Sequence, residues 1–274
     1  MALKEFSLEG KTALITGGGR GIGRAIALVY AEAGCDVAVV ARTRSQVEEV
    51  AGEIQRLGRR AVPLVGDVSD YRQVDRFIAE AVGALGKVDV LVNNAGVWGG
   101  RAPVVPLPEA TSDMALYNTT SPQSPDVWES IISTNLFGPY YCCRAVGKHM
   151  IERRQGKVIN ILSNWAIRAV PLTSAYSASK AALRMFTRVL ALEWAPFNVN
   201  VNAIGPGIFP TEMTLHTIGS NPKLREKSLS KIPLNRFTDV RDLGLLALYL
   251  ASPASDWMTG QCIYLDGGEA AMVD

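Results

Sequence analysis

The chain has 274 residues, 48% hydrophobic and 20% charged, and no Ser/Gly/Pro-rich linker divides it, so one α/β domain spanning residues 1–274 with a substantial core is expected. Its 28 basic residues are scattered among 26 acidic ones, for a formal net charge of +2, without a basic run interleaved with aromatics; nucleic acid is not an expected partner. Met1-Ala2-Leu3-Lys4-Glu5-Phe6 lacks the apolar core of a signal peptide and no apolar run reaches the ~18 residues of a membrane span, so a soluble cytoplasmic protein with no membrane partner is expected.

Residues 11–16 form a short apolar run that stops at Gly17-Gly18-Gly19-Arg20-Gly21-Ile22-Gly23 and gives way to a helical period over 24–31. This reads as strand, glycine turn, helix. Glycines permit backbone angles and close approach that a Cβ would forbid, and the N–H groups at the helix start attract a pyrophosphate. The spacing Gly17-x3-Gly21-x-Gly23 differs from the commoner Gly-x-Gly-x-x-Gly, yet the strand before it and the helix after it favour dinucleotide binding through Gly17, Arg20, Gly21, Ile22 and Gly23.

The second strand, 36–41, identifies the dinucleotide. Where NAD-binding units carry an acid to hold the adenosine ribose, this chain has Val40-Ala41-Arg42-Thr43-Arg44. Arg42, helped by Arg20, suits a 2′-phosphate, so NADP (as NADPH) is expected ahead of NAD.

Further strands at 61–66, 88–93 and 157–162 alternate with amphipathic helices at 71–85 and 174–194. The pattern gives a single-domain Rossmann-type, doubly wound parallel sheet of about seven strands with helices on both faces. Ligands bind beyond the carboxyl ends of such strands, where this chain places Gly66-Asp67-Val68, Asn93-Asn94-Ala95-Gly96, Ser163-Asn164 and Gly205-Pro206-Gly207.

The last of those helices carries Tyr176 and Lys180. At i and i+4 they share one helix face, so a phenol with an ordinary pKa of about 10 stands beside an ammonium that favours its phenolate. Such a tyrosine can do acid–base work. The four cysteines, Cys35, Cys142, Cys143 and Cys262, show no Cys-x-x-Cys, and only His149 and His216 accompany them, so no metal is expected and the thiols read as small buried apolar groups.

Together these segments resemble the short-chain dehydrogenase/reductase family over nearly the whole chain. Thr16-Gly17-x3-Gly21-x-Gly23 resembles its cofactor loop, Asp67-Val68 its adenine contact, Asn93-Asn94-Ala95-Gly96 its central-strand motif and Pro206-Gly207-x3-Thr211 its nicotinamide-side motif. Asn135, Ser163, Tyr176 and Lys180 fall in the order of its catalytic tetrad, with Ser163 preceding Tyr176 by 13 residues as the family pattern requires. The resemblance implies that Ser163 hydrogen-bonds a substrate carbonyl and that Tyr176 delivers the proton as hydride arrives. It implies that Lys180 lowers the tyrosine pKa and holds the nicotinamide ribose, and that Asn135 holds a relay water through a helix irregularity. Segments 127–153 and 174–194 resemble the family's four-helix interface and 261–268 its last, subunit-pairing strand, which implies a homotetramer.

Two regions depart from the common pattern or choose the substrate. The proline-bearing segment 97–125 is longer than the family usually needs, and is expected to fold over the substrate mouth or onto a neighbouring subunit; deleting 105–121 should alter KM or assembly. Segment 208–237 resembles the substrate lid, and Trp165, Phe209, Met213 and Leu215 either line an apolar pocket or are ordinary core. The stretch 205–214 resembles β-ketoacyl reductases and gluconate 5-dehydrogenase-like enzymes. The reading is a carbonyl/alcohol oxidoreductase acting on a small-molecule ketone, including β-ketoacyl groups, with a sugar or polyol dehydrogenase as the alternative. A dinucleotide-binding regulator without turnover would be expected to have lost part of the tetrad, and all four residues are present.

Overall fold

The computed structural model describes residues 3–108, 114, 117–214 and 222–272. Seven strands alternate with helices along it: β1 (Thr12–Thr16), α1 (Gly21–Glu32), β2 (Asp36–Ala41), α2 (Arg44–Arg56), β3 (Ala61–Val65), α3 (Tyr71–Leu85) and β4 (Val90–Asn93) come first. After the long connection 97–125 follow α4 (Pro125–Ile132), a π-helical turn (Ser133–Phe137), α5 (Gly138–Glu152), β5 (Gly156–Ile161), α6 (Ser174–Trp194) and β6 (Val199–Pro206). The short α7 (Glu212–Thr214), α8 (Pro222–Leu229), α9 (Val240–Ala251) and β7 (Cys262–Leu265) complete it.

All neighbouring strands are parallel, in the order β3-β2-β1-β4-β5-β6-β7. The alternation of side chains along each strand splits the core in two. Ile15, Val37 and Val39 point to one face, under Ile26, Tyr30, Leu243 and Leu250 of α1 and α9. Leu14, Ala38, Val40 and Leu91 point to the other, under Phe77, Val146, Met150 and Trp194 of α3, α5 and α6. Because the chain runs outward from β1 to β3 and then returns to start again at β4, the helices part at the carboxyl ends of β1 and β4, which opens a crevice there.

Local chemistry sets the element ends. Asp70, Ser124 and Asp239 each accept a backbone N–H from the first turn of α3, α4 and α9, and Pro125 opens α4 where its missing N–H costs nothing. α1 starts at Gly21, three residues before its apolar period becomes visible in the sequence, because the glycine turn itself supplies the helix start. β4 starts at Val90 rather than 88, since the Val88 N–H turns away from the ladder to His149 Nε2 at 3.4 Å. Cys35, Cys142 and Cys143 are buried as expected, whereas Cys262, on the last strand, is half-buried. Among the described residues no helix is long and apolar enough to cross a membrane.

Candidate active site

A cleft of about 340 Å³, within the range of small-molecule sites, runs along the carboxyl ends of the strands. One end begins at the glycine turn. Gly17 has φ +64°, and a Cβ there would come within 2.9 Å of the Ala95 Cα; at Gly23 a Cβ would come within 2.2 Å of the Gly17 carbonyl oxygen. These two positions let the turn close against Asn94-Ala95 and present the first turn of α1, whose N–H groups have no partner inside the helix, to the cleft. Thr16 ties the two sides together. Its Oγ1 accepts the N–H groups of Asn94 and Ala95 at 3.1 Å each, while Asn94 Nδ2 donates to the carbonyls of Thr16 and Gly17.

At the end of β2 the exposed Arg42 lies 3.9 Å from Asp67, too far for a firm ion pair, and Asp67 directs Oδ1 to the N–H and hydroxyl of Ser69. Arg20 is differently placed. Its Nη1 pairs with Glu212 of α7 at 2.5 Å across the cleft, a partner 192 residues away.

The other end holds Ser163, Tyr176 and Lys180. Ser163 follows β5 and caps a short 3-10 turn, its Oγ accepting the Trp165 N–H at 3.2 Å. Lys180 is 4% exposed; its Nζ donates to the Ile161 carbonyl at 2.8 Å and stands 5.7 Å from the centre of the Tyr176 ring. Burial without a carboxylate partner lowers the Lys180 pKa to about 8. Two indoles flank the phenol, Trp98 at 5.1 Å and Trp165 at 5.9 Å between ring centres, both edge-on. Burial pushes the Tyr176 phenol up to about 12, a rise opposed by its interaction with the Ser163 side chain. The adjacent ammonium was expected to lower this pKa; in this structure desolvation by the surrounding wall outweighs it.

Asn135 is fully buried in the π-helical turn, where the Gly138 N–H reaches back five residues to the Ser133 carbonyl. Its Oδ1 accepts the Val97 N–H at 2.8 Å, and its Nδ2 donates to the Val97 carbonyl at 2.9 Å and to Ser179 Oγ at 3.2 Å. The side chain therefore clamps the segment after β4 to α6, one residue before Lys180.

Of the candidates read from the sequence, Gly17, Arg20, Gly21, Ile22, Arg42, Asp67, Val68, Asn94, Ala95, Gly96, Ser163, Tyr176, Lys180, Pro206, Gly207 and Thr211 line this one cleft. Gly23 and Asn135 do not; they sit behind its wall. Thr43, Gln46, Thr134 and Glu212 also line it and were not singled out, although Thr43 and Gln46 follow directly on Arg42. Trp165 flanks the phenol and Phe209 is 2% exposed in the cleft floor. The Met213 side chain, Leu215, His216 and parts of 97–125 and 208–237 lie outside the described residues.

A second polar cluster supports the turn after Ser163. The 2% exposed Glu269 accepts Asn164 Nδ2 at 2.8 Å and pairs with Arg168.

A parallel sheet whose switch-point crevice ends in a serine, tyrosine and buried lysine defines a dinucleotide-type oxidoreductase architecture, and the comparisons give its family. Residues 11–219 match the family model described as short chain dehydrogenase. The 2-dehydro-3-deoxy-D-gluconate 5-dehydrogenase of Dickeya dadantii is 35% identical over 269 residues, covering 98% of each chain. The 3-oxoacyl-acyl-carrier-protein reductase FabG of Thermotoga maritima is 34% identical over 261 residues, 95% of this chain and 98% of the other. Among solved structures, gluconate 5-dehydrogenase from Burkholderia cenocepacia J2315, in complex with NADP and tartrate, superposes with a TM-score of 0.88 at 34% identity and full coverage of both chains. The chain belongs to the short-chain dehydrogenase family of oxidoreductases.

Proposed function

We propose that this protein is an NADPH-dependent reductase that interconverts a ketone and a secondary alcohol, with Tyr176 as general acid and base. The observation that carries the reading is the meeting of Ser163, Tyr176 and Lys180 at one end of a cleft whose other end is a glycine-turn helix start. The groups present fit a nicotinamide dinucleotide: the absence of a Cβ at Gly17 and Gly23 lets the turn close against Asn94-Ala95 and leaves the α1 start open to the cleft, and the exposed Arg42, 3.9 Å from Asp67, is held loosely enough to turn to a phosphate. When bound, that cofactor supplies the hydride.

The chain's own residues do the rest. Gly17, Gly21, Ile22 and Gly23 offer the α1 start to a pyrophosphate, and Arg42 takes a 2′-phosphate. Arg20 joins it once it releases Glu212. Asp67 and Val68 hold the adenine, and Asn94, Ala95 and Gly96 form the floor. Pro206, Gly207 and Thr211 close over the nicotinamide side, and Lys180 holds the ribose hydroxyls.

Ser163 hydrogen-bonds the substrate carbonyl oxygen while Tyr176, kept protonated at neutral pH by its burial, gives its proton to that oxygen. The Lys180 ammonium then stabilises the phenolate left behind. Asn135 positions the route by which the proton is replaced.

The Thermotoga relative is named for a β-ketoacyl substrate and the Dickeya and Burkholderia relatives for sugar acids. Both readings share the ketone-to-alcohol step. An NADPH-oxidation screen across simple ketones, β-ketoacyl thioesters and keto-sugars tests it, and absence of turnover with every member would overturn it. A homotetramer is the proposed assembly. Met185, Val189 and Leu192 expose an apolar stripe on α6, and Phe137 and Tyr140 are exposed at the start of α5. Light scattering at the mass of a monomer would refute it.

A further inference from the structure

Glu269 opens the 3-10 turn Glu269–Met272 that follows β7, and it has no part in the steps above. It does not line the cleft. Its buried carboxylate is shared between two partners on one distant turn. Oε2 accepts Asn164 Nδ2 at 2.8 Å, 105 residues away in the chain, and Oε1 accepts Arg168 Nη1 in an ion pair whose arginine side chain is only 14% exposed. Asn164 directly follows Ser163, and the Arg168 N–H closes the same turn on the Asn164 carbonyl at 3.2 Å. Trp165 lies between the two anchors.

A 3-10 turn of three residues, Asn164–Ala166, has few bonds of its own to hold one geometry. Ser163 supplies its start: Oγ accepts the Trp165 N–H at 3.2 Å, and the Ser163 carbonyl accepts the Ala166 N–H at 3.0 Å. A hydroxyl that accepts a backbone N–H turns its own proton elsewhere, so the Ser163 O–H is kept for an arriving carbonyl oxygen while the Trp165 N–H stays in place. Asp266 also approaches Asn164 Nδ2, at 3.4 Å, but its oxygens already accept the Gly268 and Ala270 N–H groups at 3.0 and 2.7 Å. A buried ion pair adds little net stability over apolar side chains of similar size; its directional bonds fix a geometry.

We propose that Glu269 is a positioning residue for Ser163: through Asn164 and Arg168 it holds the turn that aims the serine hydroxyl at the substrate carbonyl. This rests on the ketone-reducing reading and adds to it a residue from outside the cleft. The chain beside Glu269 meets the nicotinamide side through backbone, the Gly207 N–H donating to the Leu265 carbonyl at 3.0 Å. Glu269 therefore acts on turnover and leaves NADPH binding alone.

The test compares two double variants of the full protein, Arg168→Met/Glu269→Gln and Arg168→Met/Glu269→Leu. Both remove the two charges together, so neither strands a buried ion, and they differ in whether an oxygen remains for Asn164 Nδ2. NADPH oxidation is followed with cyclohexanone, ethyl acetoacetate and dihydroxyacetone. The Leu pair should lose about tenfold in kcat with NADPH KM unchanged, the scale of one misaimed hydrogen bond, and the Gln pair should recover most of it. In a Ser163→Ala background the Leu pair should lower kcat no further, because the hydroxyl it aims is gone. Amide hydrogen exchange reads the turn without turnover, with residues 165–168 exchanging about tenfold faster in the Leu pair than in the Gln pair. Equal kcat or equal exchange in the two pairs, or a full additive loss on Ser163→Ala, overturns the proposal. Faster exchange at 165–168 in the Leu pair, with no ketone reduced by the wild type, would leave the anchor standing and overturn the reductase reading instead.

Discussion

Lys180 Nζ is fixed by the Ile161 carbonyl at 2.8 Å while it faces the Tyr176 ring at 5.7 Å, so the cation of the site is held by a strand end and not by a carboxylate. Among the described residues no opposite charge holds its proton on, and burial lowers its pKa to about 8. A base loses its charge as pH rises through its pKa. Ketone reduction is therefore expected to lose kcat/KM as pH rises through about 8, and Lys180→Arg, which stays charged, should move that limb above pH ~10. A wild-type profile flat from pH 7 to 9.5 would count against this assignment.

Tyr176→Phe removes one oxygen and keeps the edge-on contacts to Trp98 and Trp165. Reduction should fall about 10³-fold, the scale of a lost general acid, with NADPH affinity unchanged by fluorescence titration. Retained activity would sink the proposed mechanism.

Arg42→Asp places a carboxylate next to Asp67 at the end of β2. NADPH KM should rise by about 10–100-fold while NADH KM falls, as expected from replacing a charge-assisted bond by a repulsion. A wild type that already prefers NADH would show the cofactor assignment to be wrong.

Asn135→Ala leaves the Val97 N–H and carbonyl without the partners now at 2.8 and 2.9 Å. Two stranded backbone groups cost about 2 to 4 kcal/mol, readable from the urea midpoint at unchanged slope. Because the clamp also reaches Ser179, kcat should drop more than KM changes. A variant of wild-type stability would show that water takes over both bonds.

The fold was legible because its signals are local. The apolar runs, the glycine turn and the polar residues at strand ends appear in short windows, and Ser163, Tyr176 and Lys180 line one cleft. What sequence could not give depended on distant partners. The i, i+4 spacing of Tyr176 and Lys180 fixes their shared face, but the phenol's pKa is raised by burial, and the rings packed against it are Trp98, from a loop 78 residues upstream, and Trp165. Arg20 was expected to meet a phosphate directly, and nothing near it in the chain announces Glu212. Glu269 carried no motif at all; only the folded chain sets it against Asn164 and Arg168.

The π-helical turn at Ser133–Phe137 constrains how this chain can change length. It holds one more residue per turn than the helices on either side, so deleting any one of its five residues would let α4 run regularly into α5. The helices on either side would keep their faces, so Cys142, Val146 and Met150 would stay in the core, and the loss would fall on the turn itself, which aims the Asn135 side chain at Val97. A connecting loop such as 97–125, whatever its role, can change length without breaking a helical turn. Length variation among natural sequences of this type should therefore collect there and stop abruptly at Ser133, a boundary that an alignment of insertions and deletions would reveal without any functional assay.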